Sequence, residues 1–236
     1  MSIKVILFDL DGTLLPMDQN TFVKAYFGLL AKKLAPRGYE PEKLIDAIWK
    51  GTAAMVKNTG DRPNEHLFWI KFIEIFGEKA KEDYPLFEEY YEKDFDKVQD
   101  ACGYTPQASQ TITRLKEMGY RIALATNPIF PAIATQKRIR WAGMTPEDFE
   151  LYTTYENSSF CKPNPKYYLS ITEKLGVFPE ECLMVGNDVT EDMVAQTLGM
   201  KVFLLSDCII NKENKDISAY PNGSFSELMA YIQALS

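Results

Sequence analysis

A single histidine (His66) and four scattered cysteines (Cys102, Cys161, Cys182 and Cys208) are all that this chain of 236 residues offers a soft metal. With no CxxC pair, a zinc site built on Cys and His is not expected, and neither is a disulfide framework. No apolar run approaches the roughly 20 residues that a membrane-spanning helix needs. In MSIKVILFDLDG, acids interrupt the first apolar run before any cleavage-like site, so no secretory leader is expected. Positive charge is not in surplus either. The 26 basic and 33 acidic residues leave a net charge of −7, which argues against a nucleic-acid backbone or an anionic membrane as partner. Internal repeats and low-complexity segments are missing. What remains, 46% apolar and 25% charged, is the balance of an ordinary globular protein, enough chain for one large domain or two small ones. A reduced, cytoplasmic setting is the expectation, with a monomer the expected state and a dimer left open.

Residues 3–8, IKVILF, are apolar apart from Lys4 and show no alternation, as a strand buried on both faces requires. Similar runs return only at 121–126, 183–186 and 201–205. Between them lie helical patterns at 106–118, 164–175 and 191–198, each followed by a glycine where a helix C-terminus wants one (Gly119, Gly176, Gly199). Alternating strand and helix predicts a parallel α/β sheet. Residues 224–235 read as a last amphipathic helix. Residues 17–97 differ: segments 21–35, 41–56, 64–76 and 84–95 carry apolar residues at helical spacing, broken at Pro36-Arg37-Gly38, at 58–63 and at Gly77. Aromatics are dense there (Phe22, Tyr26, Trp49, Phe68, Trp69, Phe72) and read as the core of a helical bundle. The expected layout is an α/β core, residues 1–16 and 98–236, interrupted after its first strand by an all-helical insert, residues 17–97.

Chemistry concentrates at the strand ends, where ligands of a parallel sheet bind. Phe8-Asp9-Leu10-Asp11-Gly12-Thr13 follows the first strand directly. Two partly buried carboxylates so close together need a cation or a shared proton. A calcium loop would require a Glu about twelve positions on, and Asn20 stands there instead. Thr126-Asn127-Pro128 ends another apolar run. A hydroxyl, an amide and a helical first turn would cradle an anion, although a simple helix N-cap has the same makeup. Lys162 stands before a helix in Cys161-Lys162-Pro163-Asn164-Pro165, where a solvated lysine is the ordinary expectation. Gly186-Asn187-Asp188-Val189-Thr190-Glu191-Asp192 follows a further strand, with Asp188 and Asp192 spaced to share one helix face. An acid-rich helix start stabilised by the dipole is its plain alternative.

Taken in order along the chain, these pieces resemble the haloacid dehalogenase superfamily: motif one at residues 9–13, motif two at Thr126, motif three at Lys162 and motif four at residues 186–192. The helical insert is similar to that superfamily's cap. The resemblance implies a Rossmann-like parallel sheet with a helical cap and a magnesium-dependent phosphatase acting on a small phosphorylated metabolite through an aspartyl-phosphate. It implies Asp9 as nucleophile and Asp11 as general acid–base. Thr126 and Asn127 would hold phosphoryl oxygens, and Lys162 would offset their charge. The Mg2+ ligands would be Asp9, the Asp11 carbonyl and Asp188. One departure stands out. Many members read Gly-Asp where this chain has Gly186-Asn187-Asp188, so Asn187 becomes a neutral ligand or hydrogen-bond partner, and Asp192 a ligand or a group holding a metal-bound water. A phosphomutase, a dehalogenase and a non-catalytic phosphate-binding relative stay open. Discriminating side chains are expected from the loop 58–64 or the linker 14–18, while Arg62 and His66 read as solvated and structural.

Overall fold

The computed structural model describes residues 2–235. Its centre is a parallel sheet of six strands: β1 (Val5–Phe8), β2 (Arg121–Leu124), β3 (Leu151–Tyr152), β4 (Cys182–Gly186), β5 (Lys201–Leu205) and β6 (Asn222–Gly223), in the order β3-β2-β1-β4-β5-β6. Every ladder is parallel. The chain leaves β1 toward β2 on one side and later fills β4 on the other. The carboxyl ends of β1, β2 and β4 therefore meet at a change of direction, the crevice where open α/β sheets bind ligands.

Alternation within the strands supplies two cores. Ile6, Phe8, Ile122, Leu124, Leu183 and Val185 face one side, together with α5 (Pro106–Glu117), α6 (Ala132–Trp141) and α8 (Phe225–Leu235). Val5, Leu7, Ala123, Cys182, Met184 and Val202 face the other, against Tyr167, Tyr168 and Ile171 of α7 (Pro165–Leu175). Covered on both faces, these strands need unbroken apolar runs, which explains the composition of residues 5–8; Lys4, just before β1, is exposed and pairs with Glu181.

From residue 19 to residue 101 the chain is largely helical: α1 (Gln19–Leu34), α2 (Pro41–Val56), α3 (Asn64–Phe76) and α4 (Tyr84–Glu89), then a π-turn and a 3-10 run ending at Ala101. The Asp18 side chain caps α1, accepting from Thr21 N at 2.8 Å. At Gly51 of α2, a Cβ would lie 2.5 Å from the Phe68 ring of α3. We expect Gly51→Val to destabilise by about 1–3 kcal/mol through overpacking, read from denaturant unfolding. An unchanged midpoint would mean that the α2–α3 contact yields freely.

One expected helix is weaker than its pattern. Residues 191–198 form only a 3-10 run, Met193–Leu198, before the left-handed Gly199. Val189, Thr190, Val194 and Thr197 are poor helix formers, and the side chains of Asp188 and Asp192 are engaged with backbone and lysine partners instead.

Candidate active site

The four sequence motifs converge. Asp9, Asp11, Thr126, Asn127, Asn187, Asp188, Glu191 and Asp192 all line one cavity of about 300 Å³ at the carboxyl end of the sheet. Lys162 lies directly behind it, 1% exposed, donating to Asp9 Oδ1 at 2.8 Å and to Asp192 Oδ1 at 2.6 Å. The bond from Lys162 to Pro163 is cis. A lysine buried alone would lose its proton, but Asp192 and Asp9 outweigh burial and hold the ammonium well above its ordinary range.

Asp9 is anchored at both ends. Its backbone N–H donates to Val185 O at 2.9 Å, pinning β1 to β4, and Thr13 Oγ1 donates to its Oδ2 at 3.2 Å. The same hydroxyl lies 3.0 Å from Asn187 Oδ1, so Thr13 bridges motifs one and four. Gly12, at φ +87°, permits this approach: a Cβ there would sit 2.3 Å from Asn187 Nδ2. Asn187 in turn donates to Cys208 O at 2.7 Å. Asp188 turns one oxygen, Oδ1, onto the N–H groups of Thr190 and Glu191, at 2.8 and 2.9 Å. Asp192 has neither oxygen free, since Oδ1 faces Lys162 and Oδ2 accepts from Asp188 N at 2.9 Å.

Asp11 contacts a residue that sequence reading passed over. Arg138, fully buried on α6, forms an ion pair with Asp11 Oδ2, and its guanidinium lies 4.5 Å from the centre of the Phe130 ring. Burial raises the Asp11 carboxyl above its usual range, while Arg138 pulls it down. Its other oxygen, like Asn127 Oδ1, is buried with no hydrogen-bond partner among the described residues. In the run TQKRIRW the arginine looks like one more solvated cation. Only its position one helical turn after Ala134 and three residues before Trp141, both buried, marks it as facing inward.

The structure corrects the phosphate cradle expected after Thr126. No helix opens there: α6 begins only at Ala132, after Pro128 and Pro131, and its N-terminal N–H is taken by the Glu156 carboxylate at 2.8 and 3.1 Å. Thr126 is fixed from beneath instead, its carbonyl accepting from Thr153 at 2.6 Å and Tyr167 at 2.8 Å. Asn127 Nδ2 donates to Glu191, whose carboxyl burial pushes up to about 7. The loop 58–64 does not line the cavity. It closes the insert onto the core through Asn64, which bonds Pro128 O, Ser158 O and Cys161 Sγ.

The profile of the haloacid dehalogenase-like hydrolases matches residues 3–195. A phosphoglycolate phosphatase of Nitrosospira multiformis is 26% identical over 205 residues, 86% of this chain and 83% of that protein. Among solved structures, an HAD phosphatase from Thermococcus onnurineus superposes with a TM-score of 0.61 at 20% identity, covering 98% of both chains. An HAD enzyme of Bacteroides thetaiotaomicron, in complex with magnesium and inorganic phosphate, gives a TM-score of 0.55 at 20% identity over 92% of this chain and 98% of that one.

Proposed function

Because the chain belongs to the haloacid dehalogenase-like hydrolase family, we propose that it is a magnesium-dependent phosphatase working through an aspartyl-phosphate on Asp9. The observation that carries this reading is the pairing of two differently held acids on one loop. Asp9 is braced by Lys162 and Thr13, and Asp11 by Arg138, and both open on one cavity. An Asp9 oxygen attacks phosphorus, the ester P–O bond breaks, and Asp11 gives the leaving alcohol its proton. Water then attacks the phosphorus of the acyl phosphate. Asp11 takes the water's proton, and inorganic phosphate departs as Asp9 is restored. Thr126 and the Asn127 N–H stand at the end of β2 to hold phosphoryl oxygens, and Lys162 offsets the charge that gathers on Asp9 and the phosphate.

The donor set suits magnesium. Five acids line the cavity with a single cation, Lys212, and the buried Lys162 and Arg138 beside it are already paired. Asp9 and Asp188 supply the one or two carboxylates that this hard cation takes alongside phosphate oxygens and water. The Asp11 carbonyl and the Asn187 amide oxygen complete the candidates. When bound, the cation would polarise the phosphoryl oxygens. Asp192, 1% exposed and clamped between Lys162 and the Asp188 N–H, is assigned to holding Lys162 instead of a cation or its water.

Two measurements separate these roles. Asp188→Ala should raise the magnesium concentration for half-maximal rate by at least the roughly 10–100-fold that losing a ligand's supporting partner costs, and more than Asn187→Ala does, while Asp192→Asn should lower kcat with little change in magnesium demand. If Asn187→Ala loses magnesium and Asp188→Ala keeps it, the ligand register shifts by one residue. Asp11→Asn should slow turnover by about 10²–10⁴ for alkyl phosphates, and far less in the phosphorylation step with nitrophenyl phosphate, whose leaving group needs no proton. Equal losses in that step for both esters would remove Asp11 as the acid.

A further inference from the structure

On the side away from the sheet, the cavity wall changes character. Phe22 and Val23 of α1, Trp49 and Val56 of α2, and Ile129 and Phe130 of the loop after β2 form it. Trp49, Thr52 and Val56 follow one another at helical spacings of three and four, so a single face of α2 looks onto the catalytic carboxylates. That face is not used up by packing: Trp49 is 50% exposed and Val56 43%. Behind it a second space of about 80 Å³ opens among Phe68, Trp69, Phe87 and Tyr155. Val23, Trp49, Thr52, Ile129 and Phe130 line both spaces. The apolar wall therefore runs from the site of phosphoryl transfer into the aromatic interior of the insert.

Charge points the same way. Among the described residues lining the cavity, Lys212 is the only cation, exposed on the core side where Asp188 and Glu191 line the same space. Neither α1 nor α2 brings an arginine, lysine or histidine to the wall. A carboxylate or second phosphate on a leaving group seated against α1 and α2 would meet no cation from either helix and would share the cavity with five acids. An alkyl chain or aromatic ring would instead cover Trp49 and Val56 and gain by doing so.

Building on the phosphatase reading, we propose that the substrate is a phosphomonoester of an uncharged, apolar alcohol, its alkyl or aromatic body seated against Trp49, Val56 and Phe130. The class differs from that named for the phosphoglycolate phosphatase relative, whose leaving group carries a carboxylate.

The test uses the full chain at saturating magnesium with ethyl, butyl, hexyl, octyl and benzyl monophosphates and phosphoglycolate. The simple alkyl alcohols are closely similar leaving groups, so their trend reports burial alone. The expected result is a rise in kcat/KM of about two- to fourfold per methylene until the space is filled, with phosphoglycolate about tenfold or more below benzyl phosphate, as an unpaired buried charge demands. Trp49→Arg should flatten the alkyl trend and raise phosphoglycolate relative to benzyl phosphate. A flat trend, or a preference for phosphoglycolate, with ethyl phosphate still hydrolysed, would overturn the apolar class and leave the phosphatase reading standing. If none of the esters turns over, the phosphatase reading fails and this inference with it.

Discussion

Asp9→Asn is expected to abolish turnover, by about 10⁴-fold or more, as losing a covalent nucleophile does. The change is close to isosteric, and it leaves the Asp9 N–H on Val185 O and keeps an oxygen for Thr13 or Lys162. The variant should therefore fold, with only its chemistry removed. Two readouts separate nucleophile loss from general damage. Wild-type enzyme quenched during turnover of a labelled ester should retain hydroxylamine-sensitive phosphate, and the variant should retain none. Thermal unfolding of the two proteins should differ by a few degrees at most. A variant that kept near-normal activity, or that still trapped label, would end the assignment of Asp9.

The parts of this site that could be read from sequence are those where geometry forces composition. A strand covered on both faces must be apolar without alternation, so residues 3–8 announced β1, and the acids that follow could only stand at its carboxyl end. β3 and β6, two residues each, are too short to leave a pattern. The helix expected at 191–198 looked right by apolar spacing, yet the local chain answers to Asp188 and Asp192, whose bonds to backbone and lysine no periodicity records. Thr126 was legible only through its place in the order of motifs. The helical turn expected after it was an inference from N-cap chemistry that Pro128 and Pro131 defeat. Arg138 shows the deeper limit. Its burial depends on Asp11, 127 residues away in sequence, and a cation on an amphipathic helix reads as solvated unless its distant partner is known. The apolar face of α2 was hidden for the converse reason: aromatic density signals a core, and nothing local separates a residue packed in a core from one left bare over a cavity.

Lys162 carries the other large expected effect, and it falls on stability and catalysis together. The ammonium is buried between Asp9 and Asp192, at 2.8 and 2.6 Å. Lys162→Met keeps the length of the side chain and removes its charge, leaving two carboxylates desolvated and facing each other. Breaking a buried pair in this way costs about 3–5 kcal/mol, which should appear as a large fall in the denaturation midpoint. Turnover should fall by more than about 10²-fold, since nothing then offsets the charge gathered on Asp9 and the phosphate. The double variant Lys162→Met with Asp192→Asn separates the two effects. With one carboxylate neutralised, Asp9 can draw on Thr13 alone, and Asp192→Asn can still accept from Asp188 N through its amide oxygen. Much of the lost stability should return, while turnover should not, because the substrate phosphate still meets an unscreened Asp9. If the double variant recovered both, Lys162 would be a structural counter-ion to Asp192 with no part in phosphoryl transfer. If it recovered neither, Asp9 would be the partner whose charge most needs the lysine, and Asp9→Asn in the Lys162→Met background should then restore the fold.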